Sequence, residues 1–196
     1  MTRTLSIRNR QRVRRVNTPL LRRITLHVLG EHLRVAGFEL AIHLVAAPEM
    51  ARVNQTFLGH EGSTDVITFD HSNPLAADVR RLSNPNASSA RRSEPPHVGC
   101  YEFLSGELFI CLDDAVKQAR QFRTTWQSEL VRYVVHGLLH LCGHDDLKPV
   151  ARRQMKREEN RLLRETAKRF PFAKLETRNL KRGTANSAFR TPRSAV

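Results

Sequence analysis

Apolar residues recur along this chain with two periods, and the change from one to the other marks out the elements. Between Thr18 and Val35 the residues Leu20, Leu21, Ile24, Val28, Leu29 and Leu33 fall at helical spacing, with Pro19 suited to a first turn. The run Leu40-Ala41-Ile42-His43-Leu44-Val45 then reads as a strand, followed by a short helix from about Pro48 to Phe57. Asp65-Val66-Ile67-Thr68-Phe69 and Glu107-Leu108-Phe109-Ile110-Cys111 are β-branched and aromatic runs opened by glycines, so both predict strands. Asp113 and Asp114 open a helix to about Phe122, where a helix N-terminus welcomes negative charge. Thr124 and Gln127 form a candidate capping box for a helix that runs to Cys142 and ends in a left-handed turn at Gly143. A last, highly charged helix spans about Pro149 to Lys168, with Met155, Leu162 and Leu163 as its sparse apolar contacts. The fold class this predicts is α+β: a small mixed sheet packed against helices.

Two segments lack such order. Residues 71 to 100 hold four of the nine prolines and five serines, and read as a polar surface insertion. The chain from 174 to 196 is polar and aperiodic, and is expected to be a disordered basic tail.

Charge sharpens this division. Of the 196 residues 33 are Lys or Arg and 19 are Asp or Glu, a net charge of +14, yet residues 1 to 23 carry +8 and residues 174 to 196 carry +5. The body between them is nearly neutral, so the basic ends are expected to meet a polyanion, most simply nucleic acid. Three scattered cysteines argue against a disulfide framework and for a reducing compartment. No apolar leader opens the sequence and no run approaches a membrane span, so a cytoplasmic protein is expected.

The chemistry is concentrated in Val135-His136-Gly137-Leu138-Leu139-His140-Leu141-Cys142-Gly143-His144-Asp145-Asp146. His136 and His140 lie on one helix face at the i, i+4 spacing that lets two imidazoles share a metal ion, while Leu130, Val131, Val134, Leu138 and Leu141 form the opposite face. A bare pair of this kind is often two exposed histidines. Here the glycine turn brings His144, Asp145 and Asp146 within reach as a third ligand, and the spacing to Asp146 is that of the metzincin pattern. Peptidases of that type place a glutamate base directly after the first histidine, whereas this chain has Gly137, so metal without ordinary peptide hydrolysis is indicated.

The segment His136 to Asp146 resembles the H-G-x-L-H-L-x-G-[YH]-D-H signature of the YbeY-type rRNA maturation factors, metal-dependent bacterial endoribonucleases. Ser63-Thr64-Asp65-Val66-Ile67-Thr68-Phe69 is similar to that family's P-T-D-V-L-S-F block, and Leu104-Ser105-Gly106-Glu107-Leu108-Phe109-Ile110 to its L-G-D-I-x-I strand. The match runs from about Ile24 to about Phe170. It implies one Zn²⁺ per chain held by His136, His140 and Asp146, the last standing where the family usually has histidine. His144 is the rival third ligand, and otherwise a catalytic proton carrier beside His136 and His140. Asp145 is expected to shape the turn or to orient a ligand. Thr64 and Asp65 are expected to contact substrate, although a plain turn into a strand explains them as well.

The same resemblance implies an arginine after the N-x-x-[YF] segment, here Asn54-Gln55-Thr56-Phe57, but the chain has Leu58, and Arg132 stands where histidine is common. Arg153, Lys156, Arg157 and Arg161, interrupted by Glu158 and Glu159, read as a solvated helix face. The implied function is a zinc-dependent endoribonuclease that matures small-subunit rRNA, with rRNA and the ribosomal small subunit as partners. The competing reading is an RNA-binding ribosome-assembly factor whose metal is structural and whose catalysis is weakened.

Overall fold

The computed structural model describes residues 2–72 and 102–177. Most of the proline-rich insertion and residues 178–196 of the expected tail lie outside them. Four strands, β1 (Arg3–Asn9), β2 (Gly37–Val45), β3 (Val66–Asp70) and β4 (Phe103–Cys111), form one mixed sheet in the order β1-β2-β4-β3. β1 and β4 flank β2 in parallel, and β3 closes the edge antiparallel to β4. The helices are α1 (Thr18–His27), α2 (Ala47–Leu58), α3 (Leu112–Phe122), α4 (Trp126–Leu141) and α5 (Pro149–Arg169). This is the α+β architecture expected.

Several elements differ from the sequence reading in instructive ways. The basic N-terminal segment, residues 1 to 23, expected to be partly strand, contributes β1 as an integral edge strand, paired with β2 from Arg3 opposite Phe38 to Asn9 opposite Leu44 and carrying Arg3 and Arg8 of its eight arginines. The first helix widens into a π turn over Val28–His32, closed by Leu33 N–H to the Val28 carbonyl, and this lets both Val28 and Leu29 point into the core. The cap of α4 is Thr125, not Thr124: its extended backbone lets its hydroxyl accept from Ser128 N–H. Thr124 instead donates to the Glu129 carboxylate at 2.6 Å, and Gln127 is buried against Glu176. Order also persists a few residues past Lys174. Leu175 is fully buried at the end of a 3-10 turn, Phe172–Leu175, and Glu176 bridges to Val16, because an apolar side chain there finds the core.

The main core lies between one face of the sheet and helices α1 and α4, built on Leu21, Ile24, Ile42, Leu108, Leu130 and Leu138. A smaller cluster of Val45, Met50, Ile67 and Cys111 fills the other face under α2. Burial pushes the Cys111 thiol up to about 12, which leaves it an inert space-filler, as its apolar surroundings require. Asp113 does more than open α3: its carboxylate accepts from Ala47 N–H at 2.7 Å and so ties the start of α3 to the start of α2.

Two glycines set how closely α4 approaches the sheet. A β-carbon at Gly137 would stand 2.6 Å from Leu108 Cδ2 and 3.2 Å from the Thr68 hydroxyl oxygen. One at Gly106 of β4 would stand 2.5 Å from the Phe69 carbonyl oxygen and 2.7 Å from Leu141 Cδ2. Gly137 therefore faces the sheet, where there is no room for the glutamate of a peptidase.

Gly106→Ala should cost about 2–3 kcal/mol, because its new methyl meets backbone that cannot rotate away. Gly137→Ala should cost less, since a gain of about 1 kcal/mol in helix propensity offsets part of its clash with the Leu108 side chain. Urea denaturation at constant m-value measures both, and a wild-type midpoint for Gly106→Ala would contradict the close approach.

Candidate metal centre and its cavity

With Gly137 held against the sheet, the neighbouring positions of α4 turn outward, and His136 and His140 emerge one above the other. Their rings meet edge to face with centroids 4.6 Å apart. After Leu141 the helix stops because Gly143 adopts φ +80°. Gly143 N–H bonds to the His140 carbonyl at 2.9 Å and His144 N–H to the Leu139 carbonyl at 3.0 Å, the paired closure of a Schellman turn. The turn carries the chain back, so that the ligand atoms of His136, His140 and Asp146 all lie within 4.8 Å of one another. Among the described residues no other set of three such groups converges in this way.

The tautomers of both histidines follow from their partners. His136 Nδ1 faces the Glu159 carboxylate at 3.2 Å, and His140 Nδ1 faces the His144 carbonyl at 3.0 Å. A carboxylate and a carbonyl only accept, so each Nδ1 carries the proton and each Nε2 keeps its lone pair. Those two Nε2 atoms stand 3.1 Å apart. Two bare lone pairs at that distance repel unless a cation lies between them. Tetrahedral zinc with Zn–N bonds of about 2.0 Å sets its nitrogens roughly 3.3 Å apart, so the donor set fits a metal of that kind. Burial, then the neighbouring His136, lowers the pKa of His140 and keeps it neutral, the form a ligand needs.

The buried carboxylate behind His136 is the feature that the sequence reading assigned to a solvated face. Glu159 is only 3% exposed. It receives His136, Lys156 Nζ at 2.8 Å and the Arg132 guanidinium. Burial alone would raise its carboxyl, but these three donors outweigh that cost and hold it at about 2. Arg132 is shared in turn with buried Glu129 at 3.1 Å and with Asn160 at 3.2 Å. A signal for Glu159 did exist: Met155, Glu159, Leu162, Leu163 and Thr166 are the buried stripe of α5, and a glutamate inside an apolar stripe needs buried partners.

A cavity of about 230 Å³ opens beside this cluster, lined by residues including His136, Asp146, Asp65, Arg132, Arg152 and Lys156. Of the two residues expected at the substrate, Asp65 is on the cavity wall and Thr64 donates its hydroxyl to Asp65 Oδ1 at 3.1 Å. His144 contributes its backbone carbonyl to His140, while its imidazole, whose pKa burial lowers, is outside the cavity lining. Asp145 accepts from Leu147 N–H and shapes the turn, as expected. Leu58 is 47% exposed at the end of α2 and does not reach the cavity.

Comparison with known proteins is consistent with this geometry. The family model described as Endoribonuclease YbeY matches residues 6–167, which extends the sequence resemblance back into β1. A Salinibacter ruber protein named Endoribonuclease YbeY is 31% identical over 81% of this chain and 89% of its own length. An Anaeromyxobacter protein of the same name is 36% identical over 66% of this chain, which spans about half (55%) of that relative. The solution structure of a Thermotoga maritima protein matches with a TM-score of 0.55 at 20% identity, over 91% of this chain and 99% of that one, a likeness of fold.

Glu159→Gln removes the charge that balances Arg132 and Lys156 and leaves a single acceptor oxygen where two now serve His136, Arg132 and Lys156. Affinity for Zn²⁺, measured by competition with a chromophoric chelator, should fall roughly 10- to 100-fold. The metal-free variant should also lose roughly 1–3 kcal/mol of stability, since Arg132 and Lys156 lose the charged acceptor they share while Arg132 keeps its bond to Glu129. Unchanged metal affinity would detach Glu159 from the site.

Proposed function

The chain belongs to the YbeY endoribonuclease family, and from that membership we propose that it is a zinc-dependent endoribonuclease of the cytoplasm, acting on ribosomal RNA in maturation of the small-subunit 3′ end. One observation carries the reading: two imidazole nitrogens with bare lone pairs and one carboxylate converge at the edge of an open cavity lined by three acids and three cations.

In this reading His136, His140 and Asp146 hold the metal. Zinc bound there would lower the pKa of a water molecule and offset the charge that develops on a phosphate oxygen. The chain's own groups do the rest. Glu159 and the His144 carbonyl hold the two imidazoles in the ligand tautomer. Asp65, which lines the cavity and accepts from Thr64, would accept from a ribose hydroxyl or base edge. The role proposed for His144 is this carbonyl contact, in place of proton transfer by its ring. The basic residues beyond 177 are proposed to hold the RNA backbone without reading its bases. A purely structural metal is disfavoured by the open cavity beside it, and a peptidase by the lack of room at Gly137.

Cleavage of a structured small-subunit rRNA fragment tests the proposal. Metal-loaded wild type should cut it, and His140→Ala or chelator treatment should slow cutting roughly a hundredfold or more. Equal cleavage by wild type and His140→Ala would remove the nuclease reading. Asp146→His should tighten zinc binding if residue 146 is the third ligand, and an unchanged affinity would turn attention to His144.

A further inference from the structure

Three cations line the cavity, and their hydrogen bonds separate them. The Arg132 guanidinium is committed to Glu129, Glu159 and Asn160. Lys156 is committed to Glu159 at 2.8 Å. Withdrawing either would leave a buried carboxylate short of donors, so neither is free to follow a substrate. Arg152 is held differently. Its Nε donates to the Asp146 carbonyl at 2.9 Å, and its backbone N–H to the Lys148 carbonyl at 2.8 Å in the first turn of α5. Its two terminal nitrogens make no hydrogen bond or ion pair among the described residues, and the side chain is exposed at the cavity.

We infer that Arg152 is the substrate-phosphate residue of this site, gripping the RNA phosphodiester beside the metal with its two terminal amino groups. The Nε bond uses one of five guanidinium N–H groups and fixes the plane of the fork next to Asp146. The remaining four are arranged for bidentate contact with two phosphate oxygens, a geometry that a lysine cannot copy. The same bond places the fork on the carbonyl of the residue that supplies the third ligand atom, so cation and metal address one phosphate group. No other cation of the lining is both anchored and unspent.

Electrostatics adds a condition. The cavity is lined by three acids, Asp65, Asp146 and Glu159, and three bases, Arg132, Arg152 and Lys156. Those charges cancel, so the metal-free cavity has no net attraction for an anion, and a divalent ion makes it positive by two. Arg152 should therefore contribute to RNA binding chiefly in the metal-loaded protein.

The inference rests on the nuclease reading, and the experiment keeps the two apart. Full-length, zinc-loaded wild type, Arg152→Ala, Arg152→Lys and Arg153→Ala are compared. Arg153 is the control because it is exposed and outside the cavity lining. Anisotropy of a labelled single-stranded RNA, read immediately after rapid mixing, gives affinity and its salt dependence; single-turnover cleavage and elemental analysis follow. Arg152→Ala should bind roughly 10- to 100-fold more weakly, with a log–log salt slope shallower by about 1, and should cleave at least tenfold more slowly with its zinc retained. Arg152→Lys should restore the salt slope but not the cleavage rate, and Arg153→Ala should match wild type in both. If wild type cleaves and Arg152→Ala binds and cleaves equally well, the inference fails and the nuclease reading stands. If wild type does not cleave while Arg152→Ala alone weakens zinc-dependent RNA binding, the nuclease reading fails and the phosphate contact stands. Loss of zinc from Arg152→Ala would overturn the inference, because Arg152 would then be a brace for Asp146.

Discussion

The approach of α4 to the sheet is the constraint from which the site follows. At two places side chains are deleted so that backbone can meet packing groups: Gly137 on the helix against Leu108 and Thr68, and Gly106 on β4 against Phe69 and Leu141. A helix pressed this closely cannot rotate about its axis without driving a turn of buried leucines into the strands. Its rotation is therefore fixed, and with it the direction in which His136 and His140 leave the surface. Gly137 thus explains both a presence and an absence. It orients the two candidate ligands, and it removes the position from which a peptidase would supply its base.

Orientation of the helix still leaves each imidazole free to spin and to choose its protonated nitrogen. That freedom is removed from two sides. Glu159 on α5 and the His144 carbonyl on the Schellman turn each claim one Nδ1–H, so both Nε2 lone pairs are forced toward the same point. A carboxylate buried for this purpose must be kept charged, and Arg132 and Lys156 do so. The network continues through Glu129 to Thr124 at the start of α4, which makes the N-terminal end of the helix and the metal centre one electrostatic unit.

Much of this was legible in the sequence, and the limits are physical. Among the described residues, helical and alternating periods located the five α-helices and three of the four strands, because apolar stripes must face a core. β1 was only partly legible: Thr4, Ser6 and Arg8 alternate with Leu5 and Ile7, and edge position hides a strand whose outer face is polar. The pair His136/His140 and the turn to Asp146 were readable as spacing, since 3.6 residues per turn and a glycine stop are local facts. Glu159 was misplaced because a carboxylate surrounded by Arg153, Lys156 and Arg157 looks solvated unless its register with Met155 and Leu162 is weighed first. The cap moved by one residue because Thr124 and Thr125 are chemically identical, and only backbone geometry tells them apart.

The same comparison bears on Leu58. Leu58 and Asp146 both depart from the family pattern, but they are not equivalent in space. Asp146 is within the candidate ligand set, whereas Leu58 is exposed at the end of α2 and outside the cavity lining. An aspartate brings a full negative charge to a metal that two neutral imidazoles leave dipositive, and so lowers the pull of the centre on a phosphate by about one unit of charge. A site altered in that way needs a cation nearby more than one built from three histidines does. Arg152, fastened to the Asp146 carbonyl, supplies it at the residue where the charge was introduced. The two changes are then parts of one electrostatic arrangement, with the fork of the arginine and the carboxylate of the ligand carried by the same turn.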